Sequence, residues 1–239
     1  CRRSGKTLGC EHLLLEMHNS GRKHDVVFLF SSTAHLQSEN YRFISPRFKF
    51  TLENFEETIY KIIDKQIEMI KKKKDVKKCC QVLIIFDDCI HAETKRGTTF
   101  KHCRVVEQLA VMSRHIGVSF IILSQDHMQI SKKTRQNLDC LTTFKKSDHN
   151  YRKFLVENYL CVANVMDKKY AYEYLNNIWN EPYVMLVIPL YKQQTAVDIT
   201  DIGLKYKANA DEPIDYNEFR LGDKIYWRDT KKSKKDAPK

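Results

Sequence analysis

The sequence has little glycine and proline, with 7 Gly and 5 Pro among 239 residues. A β-sandwich with many tight turns uses more of both, so their scarcity favours long helices. No apolar run approaches the ~18–20 residues of a membrane-spanning helix, and the sequence therefore predicts no membrane span. Hydrophobic residues make up 42% and aromatic residues 11%, which is enough for a globular core and excludes wholesale disorder.

The eight cysteines lack the spacing of a metal site. None forms a C-x-x-C pair, and Cys79 and Cys80 are adjacent. Several lie in apolar stretches, where a reduced cysteine packs as a small hydrophobic side chain. We therefore expect reduced thiols in a reducing compartment and no structural metal.

The charge balance is strongly basic, because 41 Lys and Arg oppose 30 Asp and Glu for a net charge of +11. This excess suits a polyanionic partner such as nucleic acid or an acidic membrane face, although a lysine-rich proteome explains it equally well. Lys71–Lys74 form one basic run. Its simplest interpretation is a solvated helix end, where lysines complement the helix dipole, with a DNA contact as the alternative.

Apolar strands alternate with amphipathic helices along the first 204 residues. Short apolar runs predict strands at 26–30, 82–86, 118–123, 140–144 and 183–190, with 195–199 as a candidate partner for the last. Three- and four-residue hydrophobic spacing predicts helices at 6–18, 52–70, 101–115, about 150–160 and 164–179. This order indicates an α/β domain with a mostly parallel sheet flanked by helices, over residues 1–204. Residues 205–239 are polar and basic, and we expect a mobile tail there.

The chain opens with a fragment of a phosphate-binding loop. Gly5-Lys6-Thr7 at a helix start is the second half of the pattern G-x-x-x-x-G-K-[ST]. Ser4, Gly5, Lys6 and Thr7 are the predicted nucleotide-binding residues: backbone N–H groups hold phosphate, Lys6 reaches the β- and γ-phosphates, and Thr7 ligates Mg²⁺. The first glycine of the pattern and the strand that feeds the loop would precede Cys1. We therefore expect the P-loop strand to be missing from this chain, whose parent protein begins further upstream.

Two acidic residues follow the apolar strand 82–86. Asp87-Asp88 after such a strand is the Walker B pattern, in which Asp87 holds Mg²⁺ and Asp88 acts as general base toward the attacking water. The second position is often Glu, so Asp88 is a shorter variant. Two acids that merely end a strand are the alternative for an isolated strand, but the preceding Gly-Lys-Thr favours the catalytic interpretation.

Candidates for the remaining catalytic roles lie around strand 118–123. Gln125 follows this strand and suits a γ-phosphate sensor, because an amide both donates to phosphate and accepts from water. Arg114 before the strand and Arg135 after it are candidates for an arginine finger, supplied to a neighbouring subunit. Ordinary surface arginines remain the alternative for both. His115 is interpreted as a packed or hydrogen-bonded histidine rather than a catalyst.

Taken together, these motifs resemble the genome-packaging ATPases of large double-stranded DNA viruses and related transposons. This family is the poxvirus-type branch of the FtsK–HerA superfamily. The resemblance covers about residues 1–190, and its most distinctive part is Arg114-His115 followed by the strand that ends in Ser124-Gln125. It implies a RecA-like P-loop NTPase fold, with ATP and Mg²⁺ as cofactors. The matching residues are Gly5, Lys6, Thr7, Asp87, Asp88, Arg114 and Gln125.

The same resemblance implies how such a protein would work. It implies a homo-oligomeric ring that moves double-stranded DNA into a preformed capsid, with capsid or portal-vertex proteins as partners. The implied location is the host cytoplasm, a viral factory or the virion. Two alternatives stay open: another P-loop ATPase such as a helicase or AAA-type protein, and a non-catalytic scaffold that keeps the fold.

Overall fold

The structure is a computed structural model that describes residues 5–32, 41–89, 99–162, 165–208 and 214–227. The chain divides into two compact units. The parallel-sheet unit comprises residues 17–129 and 214–239, and the antiparallel-sheet unit comprises residues 1–16 and 130–213. In the described ranges, no helix is both long and apolar enough to cross a membrane.

In the described residues, the parallel-sheet unit is built on four strands in the order β2-β1-β3-β4. They are β1 (Val26–Ser31), β2 (Lys49–Phe50), β3 (Val82–Asp87) and β4 (Val118–Leu123). All three pairings are parallel, and β1, β3 and β4 run in step, with Val26 opposite Val82 and Val82 opposite Val118. Strands that are apolar on both sides, such as β3, are typical of a parallel sheet covered on both faces.

Two helices cover one face of this sheet. Helix α2 (Phe55–Lys73) buries Phe55, Ile59 and Ile63, and helix α3 (Arg104–Met112) buries an apolar stripe of its own. Both stripes join one core cluster with the alternate strand residues, where the rings of Phe30 and Phe86 stack 5.7 Å apart. Period-3.6 helices and period-2 strands thus present their apolar sides to one another.

The described part of the antiparallel-sheet unit contains three strands in the order β5-β6-β7. They are β5 (Cys140–Phe144), β6 (Val184–Pro189) and β7 (Leu204–Lys207), and both pairings are antiparallel. Its helices are α4 (Lys132–Gln136), α5 (His149–Leu155), α6 (Lys168–Ile178) and α7 (Ile199–Ile202), together with the start of α1 (Lys6–Asn19). Helix α1 approaches this sheet closely at Gly9, where an added Cβ would lie 2.7 Å from Phe144 Cζ.

The predicted α/β class with a mostly parallel sheet is confirmed, and the structure refines two pairings. The predicted strands at 140–144 and 183–190 pair with each other in a separate antiparallel sheet. Residues 195–199 are not the partner of β6, because β7 takes that edge. Val197 is 87% exposed, and helix α7 begins at Ile199 in this stretch.

The segment expected to form a mobile tail is partly structured. Strand β7 extends the fold past residue 204, and residues 214–227 belong to the parallel-sheet unit. Phe219 is 2% exposed and stacks on Phe43 at 4.9 Å, while the Leu221 N–H donates to the Phe43 carbonyl. The polar composition of residues 205–239 gave no indication of these contacts at Phe219 and Leu221. Residues 228–239, which hold the terminal lysines, lie outside the described residues.

We expect Phe219→Ala to lower the free energy of unfolding by about 3–5 kcal/mol, because it removes a fully buried ring from a packed core. Urea denaturation followed by far-UV circular dichroism measures the change. Glu218→Ala is the matched control, since Glu218 is exposed on the same segment. Equal stability of Phe219→Ala and the unsubstituted chain would show that residues 214–227 do not contribute to the core.

Candidate functional site

Polar side chains gather where the parallel strands end. Because β1, β3 and β4 run in the same direction and in register, their carboxyl ends share one edge of the sheet. Asp87 lies opposite Ser31 on one side and Leu123 on the other. Gln125 follows β4 by two residues, and Asp88 follows β3 by one. The sheet therefore brings Asp87, Asp88 and Gln125 to one edge, which we call the carboxyl edge.

The backbone fixes Asp88 in a conformation that few residues adopt. Its φ of 52° lies in the left-handed region, and its N–H donates to the Leu123 carbonyl at 3.2 Å. Asp and Asn tolerate this region better than other residues with a Cβ. Asp88 is half-buried, and the hydrogen bond to Leu123 holds its backbone against β4.

A buried thiol lies directly behind the acidic pair. Cys89 is 2% exposed, and its Sγ donates to the Phe30 carbonyl at 3.2 Å. Burial raises the pKa of the Cys89 thiol far above its usual value, and the nearby charges of Asp87 and Asp88 raise it further. Cys89 therefore stays a neutral thiol and adds no negative charge to the carboxyl edge.

The loop that carries Gln125 is held by local hydrogen bonds. Ser124 Oγ donates to the Asp126 carbonyl at 2.7 Å and accepts from the Asp126 N–H at 3.0 Å. Asp126 Oδ1 in turn accepts from the Met128 N–H at 2.9 Å. Gln125 is exposed at the tip of this turn. A sensor amide needs such a fixed and accessible position.

The carboxyl edge offers ligands that suit Mg²⁺. The ion prefers oxygen donors and is held in nucleotide enzymes by one or two carboxylates together with substrate phosphates. Asp87 and Asp88 provide two half-buried carboxylates at successive positions in the chain. No group of three or more His, Cys, Asp or Glu side chains in the described ranges could hold a metal alone. The donors present fit an ion that shares its coordination with phosphate.

Arg114 lies at the opposite edge of the same sheet. It is exposed in the short 3-10 turn Ser113–His115 that precedes β4, whereas Gln125 follows the end of that strand. A six-residue strand spans roughly 20 Å at ~3.3 Å per residue. Arg114 is therefore too far from Gln125 to act on the same phosphate as Gln125 within one subunit.

Arg135, the second candidate finger, belongs to the antiparallel-sheet unit and is engaged there. Its Nη1 donates to the Ile130 carbonyl, and its guanidinium lies 5.9 Å from the centre of the Phe154 ring. It is half-buried rather than exposed. These contacts hold Arg135 inward and favour Arg114 of the two.

The predicted phosphate-loop residues begin helix α1 in the antiparallel-sheet unit. Gly5 has a φ of 80°, its carbonyl accepts from the Gly9 N–H at 2.7 Å, and Lys6 starts the helix. A Cβ at position 5 would lie 3.2 Å from Tyr183 Cδ1, so both conformation and space favour glycine. Lys6 and Thr7 thus occupy the first helical turn, as the motif predicts. Ser4 lies outside the described residues.

Ser31 is a further polar residue at the carboxyl edge, outside the predicted site residues. It is 1% exposed, ends β1 and lies opposite Asp87, so its hydroxyl belongs to the same edge as the acidic pair. The signal was available, because Ser31 ends an apolar strand just as Asp87 does. A polar residue at this point is otherwise indistinguishable from the start of a loop.

Comparison with known proteins decides the family. Residues 2–188 match the Poxvirus A32 protein family. The chain belongs to that family. The resemblance inferred from the motifs is therefore confirmed over most of the chain. No curated protein sequence matches this member of the A32 family closely enough to count as a relative.

Solved structures share the fold of this A32 family member. The genome packaging NTPase B204 of Sulfolobus turreted icosahedral virus 2, in complex with AMPPCP, aligns with a TM-score of 0.53 at 14% identity, covering 86% of this chain and 93% of B204. B204, the DNA-packaging ATPase of Sulfolobus turreted icosahedral virus, aligns with a TM-score of 0.53 at 13% identity, covering 90% and 94%. At these identities the likeness establishes the fold.

We expect Asp88→Ala to be about 1 kcal/mol less stable than Asp88→Asn, because asparagine tolerates the left-handed backbone and alanine does not. Urea denaturation of the two variants measures the difference. Asp87 is the matched control, since it lies in ordinary strand conformation and its Ala and Asn variants lack this backbone difference. Equal stability of the two Asp88 variants would contradict a strained backbone at this position.

Proposed function

We propose that this protein is the ATPase of a viral DNA-packaging motor. The observation that carries the proposal is the carboxyl edge, where β3 delivers Asp87 and Asp88 beside the loop of Gln125. Membership of the A32 family and the fold shared with two packaging NTPases support this assignment. An ATPase needs a phosphate cradle, a metal site and a positioned water, and the chain carries residues for each.

Phosphate binding falls to the first turn of α1. The free N–H groups at a helix start attract phosphate, and the positive φ of Gly5 turns the chain into that helix. Lys6 adds a positive charge for the β- and γ-phosphates. The Thr7 hydroxyl and the Asp87 carboxylate would hold Mg²⁺, which when bound neutralises charge that develops on the phosphates.

Water activation falls to the carboxyl edge. Asp88 accepts a proton or hydrogen bond from the attacking water, and its fixed backbone keeps the carboxylate in place. Gln125 accepts from the same water and donates to the γ-phosphate. The hydrogen bond from the Asp88 N–H to Leu123 ties the two residues to adjacent strands, so their spacing does not depend on long flexible loops.

A complete site requires a second subunit. Arg114 is exposed at the far edge of the sheet, which suits insertion into the site of a neighbouring copy. A trans arginine stabilises the charge on the transferring phosphoryl group. We therefore propose a homo-oligomeric ring that moves double-stranded DNA, with capsid or portal-vertex proteins as further partners. The host cytoplasm, a viral factory and the virion are the proposed locations.

The nucleotide site is tested with Lys6→Ala and Asp88→Asn. We expect both to lose ATP hydrolysis. Only Lys6→Ala should also lose ATP binding, because Asp88→Asn removes the base and leaves the phosphate cradle. Phosphate release and titration with a fluorescent ATP analogue separate the two effects.

Lys61→Ala is the control for these variants, because Lys61 is exposed on α2 and pairs with Glu57 on the same helix. It should leave hydrolysis unchanged. Loss of ATP binding in Asp88→Asn equal to that in Lys6→Ala would show that Asp88 is structural. Full hydrolysis by Asp88→Asn would remove it from the mechanism.

The trans arginine is tested by mixing subunits. Arg114→Ala subunits keep a sound nucleotide pocket, and Lys6→Ala subunits keep a sound finger. Each should be inactive alone, since a trans arginine contributes roughly 10³–10⁵ in rate. Mixed rings should recover part of the ATPase activity at interfaces that combine the two intact halves.

Arg135→Ala is the matched control, because Arg135 is held by Ile130 and Phe154. It should retain activity without mixing. Full activity of Arg114→Ala alone, or no recovery in rings shown to be mixed, would contradict the assignment. If Arg135→Ala subunits are inactive alone and recover ATPase activity when mixed with Lys6→Ala subunits, Arg135 is the trans arginine instead.

A further inference from the structure

Basic residues converge at the edge of the parallel sheet where its strands begin. Arg22 and Lys23 precede β1, and a lysine-rich segment over residues 71–78 precedes β3. The two segments are separated in sequence by strand β1, strand β2 and most of helix α2. We call this surface the basic amino edge, formed by Arg22, Lys23, Lys71, Lys72, Lys73, Lys74, Lys77 and Lys78, all of which are exposed.

Hydrogen bonds hold these segments side by side. The Gln81 N–H donates to Asp25 Oδ2 at 2.7 Å, and the Asp25 N–H donates to the Gln81 carbonyl at 2.7 Å. Gln81 Nε2 donates to the carbonyls of Val76 and Cys79 at 2.9 and 3.0 Å. The basic amino edge is therefore a fixed surface across neighbouring strands, which lie ~5 Å apart.

The lysines of this surface far outnumber its acids. Residues 71–78 contain six lysines and one acid, Asp75, whose carboxylate accepts from the Lys77 N–H at 2.9 Å. Lys72 pairs with Glu68 at 2.9 Å, while Lys73 Nζ donates to the Lys78 carbonyl at 2.8 Å. Asp25 is bonded to the Gln81 amide. The surface keeps a clear positive excess.

The helix dipole does not account for this charge. It favours lysines in the last turn of α2, which ends at Lys73. Lys74 has a φ of 55° and turns the chain, so that Lys77 and Lys78 lie beyond the helix. Arg22 and Lys23 belong to another segment altogether. A solvated helix end therefore explains three of the eight basic residues.

We infer that the basic amino edge binds the sugar–phosphate backbone of duplex DNA. The choice of duplex DNA rests on the proposed packaging function. Lysines are point charges that bind phosphate without reading sequence, as a motor that moves any sequence requires.

This surface lies at the opposite edge of the sheet from Asp87 and Asp88. DNA bound there stays away from the two carboxylates at the other end of the strands, so like charges stay apart. Arg114 lies beside this surface, just before β4, and its proposed role is in the nucleotide site of the neighbouring subunit. The carboxyl edge is thus proposed to act on the nucleotide, and the basic amino edge is proposed to bind DNA.

The test removes lysines without side-chain ion pairs to the acids named above. Lys71→Gln/Lys74→Gln/Lys77→Gln is compared with Lys132→Gln/Lys153→Gln/Lys169→Gln, which removes the same charge from exposed positions on α4, α5 and α6. Fluorescence anisotropy with a labelled duplex of mixed sequence is recorded over a series of salt concentrations. Each lost phosphate contact lowers the slope of log K against log salt by about 0.9.

We expect the first variant to reduce that slope by about 2–3 and to weaken binding at low salt by tenfold or more, since three contacts are lost. The control variant should leave the slope unchanged. An unchanged slope in the first variant would overturn the inference, and so would an equal reduction in both variants. Loss of binding to phosphatidylserine vesicles with unaltered duplex binding would also overturn it.

ATP hydrolysis without DNA separates this inference from the proposed function. Both triple variants should keep the basal ATPase activity of the unsubstituted chain. Suppose that the unsubstituted chain hydrolyses no ATP, and that substitution of the three lysines weakens duplex binding. The inference then stands and the packaging ATPase assignment fails. If hydrolysis is present and duplex binding ignores the three lysines, the assignment stands and the inference fails.

Discussion

The parallel hydrogen-bonded register of β1, β3 and β4 is the constraint on which the functional surfaces depend. Val26, Val82 and Val118 lie in one row at the start of the strands, and Ser31, Asp87 and Leu123 lie in one row at their ends. Equal strand lengths then collect every preceding segment at one edge and every following segment at the other. Residues far apart in sequence meet for this reason alone. A shift of one strand by a single residue would reverse the faces of its side chains and break both rows.

The packing behind that register explains its rigidity. Alternate residues of the three strands join the apolar stripes of α2 and α3 in one cluster. Phe30 and Phe86 lie at the end of this cluster nearest the carboxyl edge, where their rings stack. Cys89 completes this apolar base as an uncharged thiol. The two carboxylates therefore stand at the boundary between a dry core and the polar loops. Charge placed there interacts more strongly with phosphate than charge in bulk water.

Much of this arrangement could be predicted from the sequence, since apolar runs and polar strand ends are local signals. The strands at 26–30, 82–86 and 118–123 and the positions of Asp87, Asp88 and Gln125 follow from them directly. Strand direction is not local: the sequence indicates strands at β5 and β6 as it does elsewhere, but these two pair with each other in antiparallel fashion. Phe219 was hidden for a related reason, because one aromatic residue in a polar segment carries no periodicity. The basic amino edge needed the topology as well, since only register unites Lys23 with Lys77.

The left-handed backbone of Asp88 bears on the choice of amino acid at the second acidic position. Related enzymes often carry Glu there, and this chain carries Asp. A φ of 52° tolerates Asp and Asn, whose short side chains bond locally, better than the longer Glu. The shorter side chain therefore suits the backbone conformation that the hydrogen bond to Leu123 holds just after β3. A Glu at this position would favour a backbone with negative φ, so residue type and backbone shape are coupled where the chain leaves β3.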